Sequence, residues 1–323
     1  MIRFGIIGAG AIAHAFSKAC LDSQFPLQGI ASRDIERAKA FQKQYGFREV
    51  YDNYESLYLD PLVDAIYVAT PHGLHYEHML AILKHKKHII CEKSFTLNAK
   101  QAKHIFEVAK AQNVFVMEAM WTRFLPLTRT VLAKVQQGVI GQITSLKVDF
   151  AFASQPSDAS RLFNPSLGGG ALLDVGIYPI TYANLFLGKP DKIVSKAKLT
   201  SALVDGTIDL EYLYPNKKAC LHGSIIEEGG KDAYIYGDLG YIKVPFFWGA
   251  HEAFIYDLKH QLIEHIHIPH KSNGYEYEIE AFIEAIENKT FRTPYMNVED
   301  TLSILEQMDT IRKQIGVVYP NEI

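Results

Sequence analysis

A G-x-G-x-x-A motif at residues 8–13 can bind the pyrophosphate of a dinucleotide. It directly follows an apolar run that is typical of a buried strand and it opens a helical stretch, as this fingerprint requires. Gly8 allows the tight turn, Gly10 lets the backbone approach the phosphates, and Ala13 keeps helix and strand close. The helix N-terminus adds free N–H groups and a favourable dipole, although a tight turn without a ligand is the alternative. The residues predicted to bind the dinucleotide here are Gly8, Gly10, Ala11, Ile12 and Ala13.

Three polar residues after the second predicted strand bear on the choice of dinucleotide. They are Ser32, Arg33 and Asp34, at the position where a carboxylate would bind the ribose 2′-hydroxyl of NAD. The Ser32 hydroxyl and the Arg33 guanidinium suit the 2′-phosphate of NADP better than a carboxylate would. Asp34 allows two interpretations, because a shift of one residue would place it on the ribose, whereas its position before Ile35 fits a helix N-cap. We expect NADP, with NAD as the less favoured alternative.

Lys93, Asp174 and Tyr178 could together oxidise an alcohol. Lys93 ends a predicted parallel strand, at the edge of the sheet where ligands of open α/β sheets bind. A nearby ammonium lowers the pKa of a tyrosine from its usual value of about 10, whereas burial opposes this shift. We hypothesise that Tyr178 takes the proton from a secondary alcohol or an anomeric hydroxyl, that Lys93 steadies the oxygen, and that Asp174 holds a neighbouring hydroxyl or orients Lys93. The alternatives are a solvated strand-end lysine, a core tyrosine and a first-turn acid of a helix.

The elements that must position these residues divide the chain in two. Over the first third, short β-rich runs alternate with helical stretches, which predicts a parallel, doubly wound Rossmann sheet. Beyond about residue 120, strands follow one another with few helices, which predicts an α+β domain with a large, mainly antiparallel open sheet. We therefore predict an α/β protein with an NAD(P)-binding domain at residues 1–120, a substrate-binding domain at residues 121–323, for which the family resemblance described below also implies dimerisation, and a cleft between them. The predicted strands are 2–7, 27–31, 65–69, 88–91, 114–117, 143–152, 208–214, 220–226, 233–236, 241–244 and 253–256, and the predicted helices are 11–21, 35–45, 75–86, 99–112, 171–187, 275–288 and 298–315.

Several motifs, taken in order, resemble a known family. They are Thr70-Pro71-His72 with His75 after it, Cys91-Glu92-Lys93-Ser94, and Asp174-Val175-Gly176-Ile177-Tyr178. With the glycine motif, this set resembles the glucose–fructose oxidoreductase and inositol dehydrogenase (Gfo/Idh/MocA) family over nearly the whole chain. Residues 118–124 and 168–174 are similar to its dimeric dihydrodiol dehydrogenase branch, which also contains NADP-dependent D-xylose dehydrogenases.

The resemblance implies a role for each of these positions. Glu92-Lys93 matches the E-K-P motif, whose lysine lies beside the nicotinamide and the substrate hydroxyl. Asp174 matches the acid of D-x-G-x-H, and Tyr178 stands where many members have histidine and where the dihydrodiol dehydrogenase branch has tyrosine. Ser94 departs from the usual proline, which affects the expected loop geometry more than the chemistry.

The resemblance also implies that Trp121 and Arg123 face the cleft. Trp121 would offer an apolar wall to the substrate, and Arg123 would bind substrate oxygens or anchor the cofactor, with packing between the domains as the alternative. Phe152 and Trp248 are further candidates for the wall, with core packing as their alternative. Beyond the glycine motif, the predicted cofactor-binding residues are Ser32, Arg33, Thr70, Pro71, His72, His75, Glu92, Lys93, Trp121 and Arg123. The predicted substrate-binding residues are Lys93, Trp121, Phe152, Asp174, Tyr178 and Trp248.

The composition argues against several classes of protein. The 323 residues carry a formal net charge of -3, which offers no basic field for nucleic acid. No uncharged apolar run approaches the roughly 18 residues of a membrane helix, and the glycines of the apolar N-terminal run argue against a signal peptide. The three scattered cysteines indicate a reducing cytoplasm. The histidines show no metal-ligand pattern, so we expect no metal.

We therefore expect a cytoplasmic, NADP-dependent oxidoreductase that transfers a hydride between the nicotinamide and a CH–OH group of a sugar, polyol or trans-dihydrodiol. The resemblance implies a homodimer or higher oligomer that pairs through the C-terminal sheet. One alternative is an NADP-binding sensor or regulatory protein without turnover, which the presence of Lys93, Asp174 and Tyr178 disfavours. The other is a sugar–sugar oxidoreductase whose cofactor does not dissociate.

Overall fold

The computed structural model describes residues 1–155, 160–320 and 322. The chain forms two compact units. The first unit comprises Met1–Thr96, Lys100–Trp121 and His270–Thr301, and the second comprises Leu97–Ala99, Thr122–Pro269 and Leu302–Ile323. The first unit thus includes a C-terminal segment from beyond residue 120, and the division into a cofactor domain at 1–120 and a substrate domain at 121–323 stays a prediction.

The first unit is built on a six-stranded parallel sheet, which confirms the predicted Rossmann architecture. Its strands are β1 Phe4–Ile7, β2 Leu27–Ala31, β3 Glu49–Tyr51, β4 Ala65–Val68, β5 His88–Glu92 and β6 Val116–Ala119. Its helices are α1 Ala11–Asp22, α2 Ile35–Tyr45, α3 Tyr54–Leu59, α4 His72–Lys84, most of α5 Ala99–Gln112, and α8 Glu276–Glu287. The strand order is β3-β2-β1-β4-β5-β6, so the direction of strand addition reverses between β1 and β4. Open α/β sheets bind their ligands at the carboxyl ends of the strands beside this reversal.

The four residues of β1 and of β4 are all buried, as expected for strands that are covered on both faces. Two elements of the first unit were not predicted, namely the short strand β3 and the short helix α3. The predicted start of α4 at His75 was wrong, because the helix begins at His72 directly after Pro71. Strand β6 also begins two residues later than predicted.

The second unit is built on an eight-stranded sheet in the order β14-β13-β12-β11-β7-β10-β9-β8. Its strands are β7 Ile143–Ala151, β8 Lys192–Leu199, β9 Asp205–Leu213, β10 Lys218–Ser224, β11 Asp232–Gly237, β12 Gly240–Pro245, β13 Glu252–Asp257 and β14 Leu262–His267. All neighbouring pairs are antiparallel except β7 with β10, which is parallel. This confirms the prediction of a large, mainly antiparallel open sheet. The edge strands β8 and β14 were not predicted.

Buried and partly exposed residues alternate along β11, β12 and β13, so one face of this sheet is covered and the other is more open. The helices of this unit include α6 Pro126–Gln136, α7 Ile177–Leu187 and most of α9 Val298–Ile315, and α6 packs on β13. A π-helical segment, Leu172–Gly176, leads directly into α7, and α7 packs on β7 and β10. The stretch Pro165–Leu187 is long and apolar enough to cross a membrane, but 83% of its most apolar window is buried inside the structure. A buried core helix of a soluble protein has the same character, so this stretch is weak evidence for a membrane span.

Candidate active site

The glycine motif forms a tight turn between β1 and α1, beside the point where the strand order reverses. Gly8 has a φ of 94°, and a Cβ at this position would lie 2.7 Å from the Ala69 carbonyl oxygen. Only glycine fits such a conformation at such a close approach. A Cβ at Gly10 would meet none of the described protein atoms within 4 Å, and no side chain caps the N-terminus of α1 there. The turn therefore presents backbone N–H groups as a phosphate site requires.

Asp34 acts as the N-cap of α2, which confirms one of its two interpretations. Its Oδ1 accepts hydrogen bonds from the backbone N–H groups of Glu36 and Arg37, at 3.1 and 3.3 Å. The buried Ser32 hydroxyl accepts from the Asp34 N–H at 3.3 Å, which orders the turn. Arg33 is exposed between them. Arg33 is thus the first exposed residue after β2, and its positive charge suits a 2′-phosphate.

His75 connects the loops that follow β4 and β5. Its Nε2 lies 2.7 Å from the Thr70 carbonyl oxygen, and its Nδ1 lies 3.0 Å from the Ser94 carbonyl oxygen. Burial lowers the pKa of His75 to about 4, so the ring is neutral at pH 7 and donates to one of the two carbonyls. His72 meets the His75 ring edge-on at 5.7 Å. His75 thereby fixes the loop that carries Lys93, while contact of either histidine with a cofactor stays a prediction.

Lys93 directly follows β5 and is half-buried. The peptide bond between Lys93 and Ser94 is cis. Beyond it, the buried Glu118 carboxylate accepts hydrogen bonds from the Phe95 N–H at 3.1 Å and from the Thr301 hydroxyl at 2.9 Å. The segment after Lys93 is therefore held by side chains from β6 and α9, so the lysine emerges from a fixed backbone.

A group of buried polar side chains lies directly before Lys93. The Tyr67 phenol on β4 donates a hydrogen bond to Glu92, the last residue of β5. Glu278 on α8 is fully buried, and its pKa is raised well above the usual value by burial and by the charge of Glu92. The same two causes raise the pKa of Tyr67. Glu92 is therefore a structural partner of Tyr67 inside the protein, and its contact with a cofactor stays a prediction.

The residues around Trp121 belong to different units. Trp121 is half-buried and stacks on Tyr275, with ring centroids 4.6 Å apart and an angle of 15° between the rings. Both residues belong to the first unit, whereas the half-buried Arg123 belongs to the second. Binding of substrate or cofactor by Trp121 and Arg123 stays a prediction.

In the second unit, Asp174 lies in the π-helical segment and pairs with an arginine that was not predicted. Arg161 Nη1 donates to Asp174 Oδ1 at 2.8 Å, with 9% of the Asp174 side chain and 50% of the Arg161 side chain exposed. Because the carboxylate is largely buried, the guanidinium offsets the cost of burying its charge. No recognisable motif surrounds Arg161, so the sequence offered no signal for this contact.

Tyr178 follows Asp174 by four residues and therefore lies about one turn further along the same helix. Its ring is buried and lies 5.5 Å from the ring of Phe150. Phe150 in turn stacks on Trp248, at 3.8 Å and 10°. Tyr178, the predicted base, and Trp248, a predicted wall residue, thus belong to one aromatic series. Phe150, which was not predicted, lies between them in this series. Phe152 packs on the apolar cluster of Phe163, Ala171, Val175 and Ile225, and its contact with substrate stays a prediction.

A buried acid supports the start of this helix. The Asp205 carboxylate accepts from the Leu172 N–H at 2.5 Å, and burial raises the pKa of Asp205 to about 7. The Tyr319 phenol donates to the Gly169 carbonyl at 2.8 Å. These contacts fix the backbone that leads into Asp174 and Tyr178.

Within residues 1–155, 160–320 and 322, no group of three or more His, Cys, Asp and Glu side chains is placed to hold a metal ion. The histidines at 72, 75 and 78 are accounted for by other contacts: His72 packs on His75, and His78 packs edge-on against Tyr54 at 5.0 Å.

Two family models match the chain. The model of the GFO/IDH/MocA oxidoreductase family with an NAD-binding Rossmann fold matches residues 2–120. The model of the GFO/IDH/MocA C-terminal domain matches residues 128–243. The matches run in the order expected from the sequence motifs and include the positions of Lys93, Asp174 and Tyr178.

Similar proteins extend over the whole chain. A trans-1,2-dihydrobenzene-1,2-diol dehydrogenase of Xenopus tropicalis is 30% identical over 98% of this chain and 99% of its own. An NADP⁺-dependent scyllo-inositol 2-dehydrogenase of Bacillus subtilis is 30% identical over 99% of each chain. Among solved structures, a 3-ketoreductase from Actinomadura kijaniata in complex with NADP and TDP-benzene is 27% identical, with a TM-score of 0.88 over 97% of this chain and 98% of its own.

Proposed function

Because this chain belongs to the Gfo/Idh/MocA family of oxidoreductases, we propose that it is an NADP-dependent dehydrogenase of a sugar, a polyol or a cyclic trans-diol. It transfers a hydride between the nicotinamide and the carbon of a CH–OH group. One observation carries this function: the turn after β1, the Thr70 loop after β4 and Lys93 after β5 share the carboxyl edge of one parallel sheet. A dinucleotide fingerprint and a chemically active lysine thus belong to the same edge.

The first unit has the groups that NADP needs. The N–H groups at the start of α1 bind the pyrophosphate, and Gly10 leaves the backbone open to it. Arg33, with the Ser32 hydroxyl beside it, binds the 2′-phosphate, whereas the Asp34 carboxylate is engaged in capping α2. Thr70, Pro71, His72, His75, Glu92, Lys93, Trp121 and Arg123 complete the proposed cofactor-binding set. When bound, NADP supplies the nicotinamide carbon that accepts or returns the hydride.

Tyr178 is the proposed proton acceptor. Its phenolic oxygen takes the proton from the substrate hydroxyl during oxidation and returns it during reduction. The Lys93 ammonium steadies the same substrate oxygen, and its charge favours the phenolate form of the tyrosine. Asp174 holds a neighbouring hydroxyl or orients Lys93, and the hydrogen bond from Arg161 keeps its carboxylate in a fixed orientation.

The proposed substrate wall is aromatic. In the second unit, Trp248 stacks on Phe150, and the Phe150 ring lies 5.5 Å from the ring of Tyr178. Trp121 and Phe152 add apolar surface, and Arg123 binds substrate oxygens or the cofactor. Aromatic rings pack well against the C–H faces of sugars and cyclic diols, while the charged groups orient the hydroxyls.

The first test is turnover. The purified protein is mixed with NADP⁺ or NAD⁺ and a panel of aldoses, inositols and trans-cyclic diols, and reduced nicotinamide is followed by its absorbance. We expect reduction of NADP⁺ by one substrate class, and loss of most turnover in Lys93→Met. The matched control is Lys100→Met, which removes an exposed lysine from α5 and leaves turnover unchanged. Turnover that persists in Lys93→Met would refute the proposed role of this lysine.

The same assay separates the two alternatives. A sensor or regulatory protein would bind NADP tightly and give no turnover with any substrate. A sugar–sugar oxidoreductase would retain its cofactor through purification and oxidise one sugar only while it reduces another. The relatives that are named as dehydrogenases of a stated substrate favour an enzyme with turnover over a sensor.

A homodimer that pairs through the open face of the eight-stranded sheet is also part of the proposal. Tyrosines on β11, β12 and β13 form a continuous row there, with Tyr236 to Tyr241 at 5.7 Å and Tyr241 to Tyr256 at 4.9 Å. Tyrosine is enriched in protein interfaces, because it combines a large apolar area with a polar end. Sedimentation should give a dimer for the unaltered protein and a monomer for Tyr241→Glu, whereas Tyr76→Glu in the first unit leaves the dimer intact. A monomer before any substitution would refute this part of the proposal.

We also propose that the protein works in the cytoplasm. Within the described part of the chain its three cysteines are free thiols, with Cys20 and Cys91 buried and Cys220 half-buried. A reducing compartment maintains such thiols. Fractionation of the source cells tests this, and recovery from an oxidising compartment would refute it.

A further inference from the structure

Phe246 combines an exposed aromatic side chain with a left-handed backbone. It is 55% exposed, and its φ and ψ are 45° and 47°. Residues with a bulky side chain rarely adopt this conformation, which glycine and asparagine tolerate. Both its exposure and its backbone therefore act against a phenylalanine at this position on grounds of stability alone.

Four other residues with a positive φ have a local reason for it at a helix end. Gln24, Lys86, Asn113 and Lys289 each follow a helix by one or two residues, where a left-handed residue commonly satisfies the last carbonyls. Phe246 instead precedes the short turn Phe247–Gly249, which closes with a hydrogen bond from the Gly249 N–H to the Phe246 carbonyl at 2.9 Å. That backbone contact would form equally well with glycine. Backbone strain that persists without a structural reason points to a functional one.

The ring of Phe246 begins the aromatic series that ends at Tyr178. It lies 5.7 Å from the Trp248 ring at an angle of 73°, and Trp248 stacks on Phe150 at 3.8 Å. Phe150 lies 5.5 Å from Tyr178. All four rings belong to the second unit, and Phe246 is the exposed end of the series.

We propose that Phe246 is a specificity-determining residue that contacts the substrate and favours a cyclic substrate over an open-chain polyol. This inference rests on the proposed function. A cyclic diol, an inositol or a pyranose has a rigid C–H face that packs against an aromatic ring. An open-chain polyol has no such face and loses more rotational freedom on binding.

The experiment compares Phe246→Gly with a matched control, Leu203→Gly. Leu203 is also apolar, 70% exposed and left-handed, with a φ of 60°, but it lies in the connection between β8 and β9. Both variants relieve the same backbone strain, so the melting temperature should stay the same or rise in both. In Phe246→Gly, the KM for trans-1,2-cyclohexanediol or an inositol should rise about threefold to tenfold. The KM for an open-chain hexitol, the kcat values and the Kd for NADP should stay unchanged, as should all constants of Leu203→Gly.

Two further measurements sharpen the test. Phe246→Tyr keeps an aromatic ring, so its KM for the cyclic substrate should be close to that of the unaltered protein. A purely structural role of this surface side chain would not require that result. An unchanged selectivity between cyclic and open-chain substrates in Phe246→Gly would overturn the inference. A change of oligomeric state with unchanged selectivity would overturn it as well, since Phe246 would then contact a second copy of the chain. Absence of turnover in the unaltered protein with every substrate would refute the proposed function itself, and this inference with it.

Discussion

Relative to the unaltered protein, the Asp205→Asn variant should gain stability as the pH rises from acidic to neutral. Asp205 is fully buried, its carboxylate accepts from the Leu172 N–H, and its pKa is raised by burial from 3.8 to about 7. The Arg312 guanidinium opposes this shift, and burial outweighs it. The folded state therefore holds a proton that the unfolded state releases between about pH 4 and pH 7.

The sign follows from this difference in bound protons. The contribution of Asp205 to stability is fully present below about pH 4 and is lost as the pH rises through about 7. The raised pKa corresponds to about 4 kcal/mol over the full range and about 3 kcal/mol between pH 5 and pH 8. Asparagine does not titrate and keeps an oxygen for the Leu172 N–H.

Urea unfolding at four pH values from 5 to 8 measures this prediction. The free energy of unfolding of Asp205→Asn minus that of the unaltered protein should rise by about 3 kcal/mol across this range. Asp191→Asn, which removes an exposed carboxyl of the second unit, should show a constant difference. A difference for Asp205→Asn that stays constant within about 0.5 kcal/mol would refute the reasoning, because Asp205 would then be ionised in the folded protein.

Four substitutions in the first unit give further predictions. Burial lowers the pKa of His75 from 6.5 to about 4, so its contribution to the free energy of unfolding is fully present above about pH 6.5. About 3 kcal/mol of this stability is lost as the pH falls toward 4. In His75→Gln, urea unfolding should no longer show this loss at acidic pH. Gly8→Ala should cost about 1–3 kcal/mol of stability and weaken NADP binding in titrations, since the added Cβ would lie 2.7 Å from the Ala69 carbonyl oxygen; unchanged binding would contradict a cofactor at this turn. Asp34→Ala should cost about 1 kcal/mol in helix capping and leave the preference for NADP over NAD unchanged. Arg33→Ala should lower that preference about tenfold to a hundredfold in kcat/KM, and equal effects of the two substitutions would contradict the assignment of the 2′-phosphate to Arg33.

The parts of the fold that were predicted have a strong local pattern. The β1 run, the glycine turn and α1 lie within one short stretch, so the sequence contains everything that specifies them. The three-residue β3 and six-residue α3 are too short to show a period. The edge strands β8 and β14 carry charged and exposed residues, because one edge of each faces solvent. Their place in the sheet is set by pairing with β9 and β13.

The site residues that were predicted are those that short motifs mark. The glycine turn, Lys93, Asp174 and Tyr178 each stand in a pattern of residue types that can be recognised without the fold. Arg161 and Phe150 were missed, because their relevance arises from contacts with Asp174 and Tyr178 that form only in the folded second unit. The two interpretations of Asp34 could be separated only by hydrogen bonds to the backbone of α2.

The central claim is that Tyr178 moves the substrate proton in an NADP-dependent alcohol oxidation. Tyr182, on the same helix, provides a matched control, since its buried hydroxyl has no hydrogen-bond partner in the described part of the chain. Turnover of NADP⁺ with the best diol or sugar of the panel is measured for Tyr178→Phe and Tyr182→Phe, together with the Kd for NADP. We predict that kcat falls about a hundredfold or more in Tyr178→Phe and stays near normal in Tyr182→Phe, with the Kd unchanged in both. Normal turnover in Tyr178→Phe would contradict the account.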